Sequence, residues 1–403
     1  MSDIRVLNPN GGWCWFQDER AIVHGDQLFF GSVASPSGDL NVTSVDLKNG
    51  ASRTTTLHEK FESDDHDAPA LFMREDGQLL AMYSKHSNDN VIRWRVGSQP
   101  ERTLEVKSSH GVCYQNIYRL RAESDRLYSF FRGDAFNPHY ITSDDDGDTW
   151  KYGGRLLHAT GERGARRPYL CYAGNGRDTI HFIATEGHPN DVANSIYHGI
   201  IRGGKIHRSD GEVVGELSSA NETKIKVTDL TRIYTGGEHR IAWTIGIHLD
   251  RDEHPYIAFS TRRDDAGTDL WYHTARSDGT RWHERELAHA GSRLYNAEKD
   301  YSGLVALHPH DPNVLYISTN ADPLSGEPLL SRADNKRHWE IFQGACANDR
   351  WTWTAITIDS TSDNIRPIVA PGNIDRAPLI WLRGTYRTYC DYDLAVAGLL
   401  AAP

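Results

Sequence analysis

Apolar and polar residues alternate along most of this chain in short runs, the two-residue period of a strand with one covered face. Residues 20–24 and 27–33 predict two strands joined at Gly25-Asp26. Residues 40–47 predict a third, ended by Lys48-Asn49-Gly50, and 54–57 a fourth. Four strands in about 40 residues is the content of one propeller blade. The pattern recurs: 68–73 and 78–83 about the turn Glu75-Asp76-Gly77, then 92–96; 116–120, 127–131 and 140–143; and 170–172 with 179–184. It continues at 242–248, 255–260 and 270–274, at 303–307 with 314–319, and at 353–358 and 379–384, giving about seven units. Only 287–296 suggests a short helix. No linker, low-complexity tract or charge block divides the chain. The expectation is an all-β protein, a seven-bladed β-propeller, as a single domain over 1–403. A ring of blades lets so long an all-β chain avoid open sheet edges.

One local motif agrees. Ser143-Asp144-Asp145-Asp146-Gly147-Asp148-Thr149-Trp150 has the S-x-D-x-G-x-T-W form of an Asp box, a tight turn between outer strands whose Trp packs between sheets. Ser277-Asp278-Gly279-Thr280-Arg281-Trp282 is a shortened echo, and Ser331-Arg332-Ala333-Asp334 with Trp339 a decayed one. These carboxylates read as turn formers, not catalysts.

Composition narrows the function. A formal charge of −11 argues against nucleic acid, which favours a basic face. It leaves room for an anionic substrate, because a local arginine cluster can dominate its own cleft. No apolar run approaches the length of a membrane span, so no membrane partner is expected. Met1-Ser2-Asp3-Ile4-Arg5 lacks an apolar stretch, which reads as a cytoplasmic protein, or as a secreted or periplasmic one whose signal peptide was removed. The five cysteines are widely spaced and read as buried thiols. His110 near Cys113 offers the start of a zinc site if distant residues complete it. Eleven Trp and eighteen Tyr suit sugar stacking as well as propeller packing.

Candidate chemistry concentrates between Glu62 and Tyr172. Asp64-Asp65-His66-Asp67 sits just before a strand. A histidine among carboxylates is oriented and kept basic, and such a loop could also hold Ca²⁺. His86 ends the second strand of the same hairpin, so antiparallel pairing brings His66 and His86 to one rim. Tyr114-Gln115-Asn116, Arg132, Asn137-Pro138-His139-Tyr140 and Arg166-Arg167-Pro168-Tyr169 also lie at strand ends. This set suits β-elimination of a uronic acid. The C5 proton is poorly acidic, so a cation must stabilise the charge that builds on the carboxylate. A His or Tyr takes the proton, and another protonates the leaving O4. His66, His86, Tyr140 and Arg166 or Arg167 are the expected catalytic groups, with Arg155 in reserve. Tyr114, Asn116, Arg132, His139, Tyr169 and His188 are expected to bind substrate. No glycosidase carboxylate pair, nucleophile elbow, P-loop or dinucleotide fingerprint stands out.

The residues also carry a resemblance. Gly11-Gly12-Trp13-Cys14-Trp15-Phe16-Gln17-Asp18-Glu19-Arg20 resembles the opening signature of the BNR-repeat-containing family. Asp64 to Ala70, the strand ending at His86, Tyr114-Gln115-Asn116 and Arg167-Pro168-Tyr169 are similar to its blocks. So are Asp300-Tyr301-Ser302-Gly303, Ser318 to Pro323, Arg366-Pro367 and Trp381 to Tyr386. The family includes seven-bladed propeller lyases that cleave ulvan or L-rhamnose-α-1,4-D-glucuronate linkages. The resemblance implies catalytic histidines at His66 and His86, a tyrosine, a charge-neutralising arginine and, in some members, a structural calcium or zinc ion. No organic cofactor is expected, and the expected partner is an anionic uronate-containing polysaccharide or oligosaccharide. The competing readings are a propeller glycoside hydrolase and a non-catalytic carbohydrate-binding propeller.

Overall fold

The structure, a computed structural model, describes residues 4–159, 167–217, 223–372 and 377–403. Seven antiparallel sheets follow one another along the chain and form the blades of a β-propeller. Blade 1 spans 21–58, blade 2 70–105, blade 3 113–155, blade 4 170–234, blade 5 241–291, blade 6 305–355, and blade 7 363–399 with 5–8. Blade 4 carries extra strands, including Thr231–Tyr234 paired on Ile196–Arg202. Only single 3-10 turns interrupt the strands among the described residues.

Burial grades outward through each blade, which explains the sequence pattern. Second strands are covered on both faces by neighbouring blades, so Arg126–Arg132, Thr179–Ala184 and Pro255–Arg262 are almost wholly buried and read as continuous apolar runs. The third strand of blade 2, Val91–Val96, alternates, with Ile92, Trp94 and Val96 inside. The outermost strand Ser52–His58 is mostly exposed and rich in Thr.

Three expectations change. Residues 287–296 are not helical: 287–291 end the strand Trp282–Gly291, and Ala288 and Ala290 fill the core as alternate inward positions. The Ser331 motif joins the second and third strands of blade 6, the wrong connection for an Asp box. Trp353 to Ile358 starts no new unit, because Arg350–Ala355 is the outer strand of blade 6. The Asp box at Ser143 to Trp150 is a structural turn. Asp145 accepts from the Thr149 backbone at 2.8 Å, Gly147 takes φ +89°, and Trp150 packs in the core between blades 2 and 3.

The ring closes through its ends. Arg5–Asn8 pairs with Asp391–Leu399 and becomes the outer strand of blade 7. From there residues 13–20 turn inward and fill the central channel. Trp13, Cys14, Trp15, Phe16 and Gln17 are buried. Their backbone carbonyls are met by a buried arginine of blade 7: Arg366 Nε donates to Cys14 O at 2.7 Å and Nη2 to Gln17 O at 2.8 Å. Arg20 fastens the other end of the segment by donating to Gln115 O at 2.8 Å. Beyond this plug, the C-terminal ends of the innermost strands surround a cavity of about 450 Å³ at one mouth of the channel. The N-terminal ends surround the other mouth.

Candidate active site

Antiparallel pairing puts the start of each first strand and the end of each second strand at the same face. Tyr114, Arg132, Tyr169, His188, Glu298 and Tyr389 all occupy such positions, as do His66 and His86. Trp15 and Phe16 of the plug lie beneath them. Trp15 stacks on Tyr301 at 5.1 Å and Phe16 on Trp243 at 3.7 Å.

The turn Asp65–Asp67 is capped by Asp64, whose Oδ1 accepts the His66 backbone N–H at 3.0 Å. The same carboxylate holds both imidazoles: Oδ1 lies 2.6 Å from His66 Nδ1, and Oδ2 lies 2.9 Å from His86 Nδ1. The rings stack at 3.7 Å and 7°. His66 is 4% exposed, whereas the His86 side chain is 21% exposed and faces the cleft. Burial resists ionisation of Asp64, yet the two histidines hold its pKa well below the usual carboxylate range. Burial also opposes charge on His66, but Cys14, Tyr114 and Asp64 raise it well above its ordinary value. Cys14 and Tyr114 are themselves pushed up and keep their protons, so Asp64 is the anion that holds the imidazolium. Burial, then the His66 charge, depress His86 to about 4. His86 is therefore neutral near pH 7. Its Nδ1–H faces Asp64, and Nε2 is left as an acceptor.

Arg132 Nη2 stands 3.3 Å from that nitrogen and donates to it. Its guanidinium lies over Tyr114 at 4.7 Å, Phe136 at 5.5 Å and Tyr169 at 5.8 Å, and Nη1 donates to the Tyr169 hydroxyl at 3.4 Å. Arg132 is buried, its Nε lacks a partner, and it forms no ion pair with a carboxylate among the described residues. A buried guanidinium in that state is costly unless an anion arrives. Tyr114 holds φ +63° at a non-glycine position, a strained backbone, and its hydroxyl has no hydrogen-bond partner among the described residues. A small cavity of about 20 Å³ beside Arg132 is lined by Tyr114, Asn116 and Tyr169.

The far side of the mouth carries the opposite charge. Glu298 Oε2 accepts from Asn190 Nδ2 at 3.2 Å and lies 3.6 Å from His188 Nε2. His188 packs edge-on against Trp243 at 4.9 Å and Tyr169 at 5.7 Å. Burial, with Arg167 and Arg132, lowers it to about 3, so it is neutral. Tyr389 stands edge-on to both stacked histidines, at 5.2 and 5.6 Å.

The structure thus gathers His66, His86, Tyr114, Arg132, Tyr169 and His188. Arg167 borders the group, 3.6 Å from Asp191 and 6.0 Å over Phe136, while Arg166 lies outside the described residues. Three expected residues stand apart, for a common reason. Tyr140 and His139 belong to the third strand of blade 3, Pro138–Ser143, and Arg155 to the fourth, Lys151–Arg155. Each step outward moves a residue about 4.8 Å from the axis. Tyr140 packs against Tyr128 and Phe130 between blades; His139 bonds Tyr152 at 2.8 Å; Arg155 turns to His158 at 3.1 Å. Asn116 is inward but bound to the plug, accepting from Arg20 at 3.1 Å. Tyr389 and Glu298 were missed, although Tyr389 follows the second strand of blade 7 as His86 follows that of blade 2.

Among the described residues, two side-chain groups have metal-ligand chemistry: Asp64, His66 and His86, and Cys14, Asp65 and His66. In the first, ligand atoms 2.6 Å apart are too close to share a tetrahedral ion, whose bonds of about 2.1 Å separate ligands by about 3.4 Å. In the second, Asp65 Oδ1 lies 3.0 Å from His66 Nδ1, again inside that separation. Neither group fits an ion as placed, and no step below uses one. Cys113 and His110 make no such group among the described residues: Cys113 accepts from Ser87 at 3.7 Å and His110 bonds Ser109 at 2.7 Å.

A family model described as BNR repeat-containing family member matches residues 30–290. No curated protein matches the chain. Among solved structures, a PL25 ulvan lyase bound to -[GlcA(1-4)Rha3S]- is 13% identical, with TM-score 0.68 over 98% of this chain and 95% of that one. A second PL25 ulvan lyase structure matches at 14% identity, with TM-score 0.68 and the same coverage. The polysaccharide lyase Uly1 matches at 9%, with TM-score 0.57 over 96% and 90% of the two chains. At such identities the likeness establishes a shared fold.

Proposed function

This chain belongs to the BNR repeat-containing family, and from that premise we propose that it is a polysaccharide lyase that cleaves a rhamnose–uronate linkage by β-elimination. The observation that carries the reading is the pairing of an ion-pair-free, buried Arg132 with a neutral imidazole whose Nε2 lies 3.3 Å away. Together they offer a cation for a carboxylate and a base for the carbon beside it. The neighbouring lyase folds support the class of reaction.

In this reading the uronate carboxylate docks on Arg132, and His86 Nε2 removes the C5 proton. The electron pair moves into the carboxylate, and Arg132 binds the growing charge more strongly than it binds the substrate. Asp64 fixes the His86 tautomer through Nδ1 and shares the new proton's charge. The C4–O4 bond then breaks, forming the C4–C5 double bond, and O4 leaves with a proton from Tyr114. Burial holds that phenol well above its ordinary pKa, so the proton is still present when O4 needs it. Tyr114 takes the place of Tyr140 as the catalytic tyrosine, and Arg132 that of Arg166 or Arg167 as the charge-neutralising arginine.

The test is absorbance near 235 nm, where a double bond conjugated to the carboxylate absorbs and a hydrolysis product does not. A panel of uronate–rhamnose glycans should give this signal with the wild type. Reducing ends released without the absorbance would identify a hydrolase, and binding without either a lectin-like propeller.

A further inference from the structure

Within the cleft, one carboxylate stands where an anionic substrate must pass. Glu298 precedes the first strand of blade 6, across the mouth from Arg132. Its two protein contacts, from Asn190 at 3.2 Å and His188 at 3.6 Å, both fall on Oε2. Oε1 has no hydrogen-bond partner among the described residues, and the side chain is 23% exposed. Burial and Asp300 raise its pKa, and Arg167, Asn190 and His66 only partly offset them. Such an oxygen lacks donors, and a sugar hydroxyl supplies one. His188 is oriented to match. Its Nδ1 accepts the Asn190 backbone N–H at 3.2 Å, so Nε2 carries the proton and faces Glu298.

We infer that the cleft is polarised: Arg132 receives the uronate carboxylate, and Glu298 with His188 and Asn190 forms a subsite for the adjoining sugar that takes hydroxyls and excludes a second anion. The substrate class is then a glycan in which a uronate adjoins an uncharged sugar. Polyuronates, and chains whose neighbouring sugar is sulfated there, are selected against. The inference rests on the uronate reading of Arg132. Its physical basis is the repulsion of like charges in a partly desolvated site, which discriminates by raising the free energy of the wrong ligand.

The experiment compares oligosaccharides alternating glucuronate with unsulfated rhamnose, the same with sulfated rhamnose, and a polyglucuronate, on wild type and Glu298→Gln. Turnover is read at 235 nm and affinity by calorimetry. The wild type should favour the unsulfated ligand about 10-fold or more, the scale of one unit charge several ångströms away at intermediate dielectric. Glu298→Gln should shrink that ratio several-fold without lowering the melting temperature. Glu298→Ala removes the same charge without an amide in its place and should shrink the ratio likewise, which keeps the test open if Glu298→Gln fails to fold. An unchanged ratio in the variant that folds, or a wild type that takes sulfated and polyuronate ligands equally well, overturns the inference. Absence of 235 nm absorbance with every glycan would refute the lyase reading instead, and the calorimetric ratio would still decide whether Glu298 excludes anions.

Discussion

The two mouths of the central channel are both rich in charge, and they use it differently. At the C-terminal ends of the inner strands the two buried carboxylates are held by protein partners. Asp18 accepts from the Tyr118 hydroxyl at 2.6 Å and the Tyr172 N–H at 3.1 Å, and Glu19 bonds His248 at 3.0 Å. At the N-terminal ends key atoms are left over: His86 Nε2 has only Arg132 beside it, Arg132 lacks a carboxylate, and Glu298 has a free oxygen. Cavity volume favours the first mouth, about 450 Å³ against about 20 Å³ beside Arg132. A groove of about 460 Å³ between blades 5 and 6 is larger again, but its Arg285 and His283 pair with Asp349 and Asp278 at 3.0 and 2.8 Å. Unsatisfied chemistry, not empty space, marks the place where a polymer would react. An open cleft for a long chain encloses little volume.

The sharpest way to break this contrast is to remove the leftover groups. His86→Ala should lower kcat by about 10²–10⁴, the usual worth of a general base. Arg132→Ala should cost about 10²–10³ in kcat with a smaller rise in KM, and Arg132→Lys should restore only part, lacking the planar fork. Steady-state kinetics at 235 nm checks both. Normal turnover in either variant would move the site elsewhere.

Acidification should come next. His86 must be neutral to act, and its folded pKa is about 4 against an ordinary 6.5. On this group's account, kcat/KM is flat from neutral pH down to about 5 and falls below about 4. The native state binds fewer protons than the unfolded chain between these values, so stability too declines as pH drops from about 6.5 towards 4. A rate limb centred near 6.5 would show that His86 is not held down.

The smallest effect belongs to the other mouth. Burial, then Glu19, raise Asp18 from 3.8 to about 7. The folded state therefore binds the extra proton, and this contribution is full below 3.8 and lost as pH rises to about 7. Asp18→Asn should flatten that part of the melting-temperature profile and leave kcat within about two-fold, the behaviour of a substitution outside the catalytic machinery. A large loss of kcat would erase the distinction between the mouths.

Much of this was legible in the chain because the strand period is short-range information. The hairpin ending at His86 follows from alternation, and hairpin geometry then places His66 beside it. Distance from the axis is not written in that period. In the sequence Tyr140 and Arg132 both read as strand-end residues of blade 3, but Arg132 ends the second strand and Tyr140 lies within the third. That one-strand difference separates a residue in the cleft from one between blades. Glu298 was hidden because it lies in a loop without periodicity, and the pairing of Arg5–Asn8 with the last blade because its partner is almost the whole chain away.

The plug has a temporal consequence. Its segment follows the strand that closes blade 7, and the His66 turn it supports is also tied to the chain's end: Asp65 N–H donates to Tyr389 O at 2.9 Å, and the Tyr386 hydroxyl to Asp65 at 2.7 Å. The histidine pair is therefore made by residues synthesised early but assembled only when the last blade arrives. A nascent chain emerging from the ribosome could stack five or six blades and still have no working base. Onset of activity during refolding should coincide with ring closure, so turnover itself serves as a clock for the final step of folding.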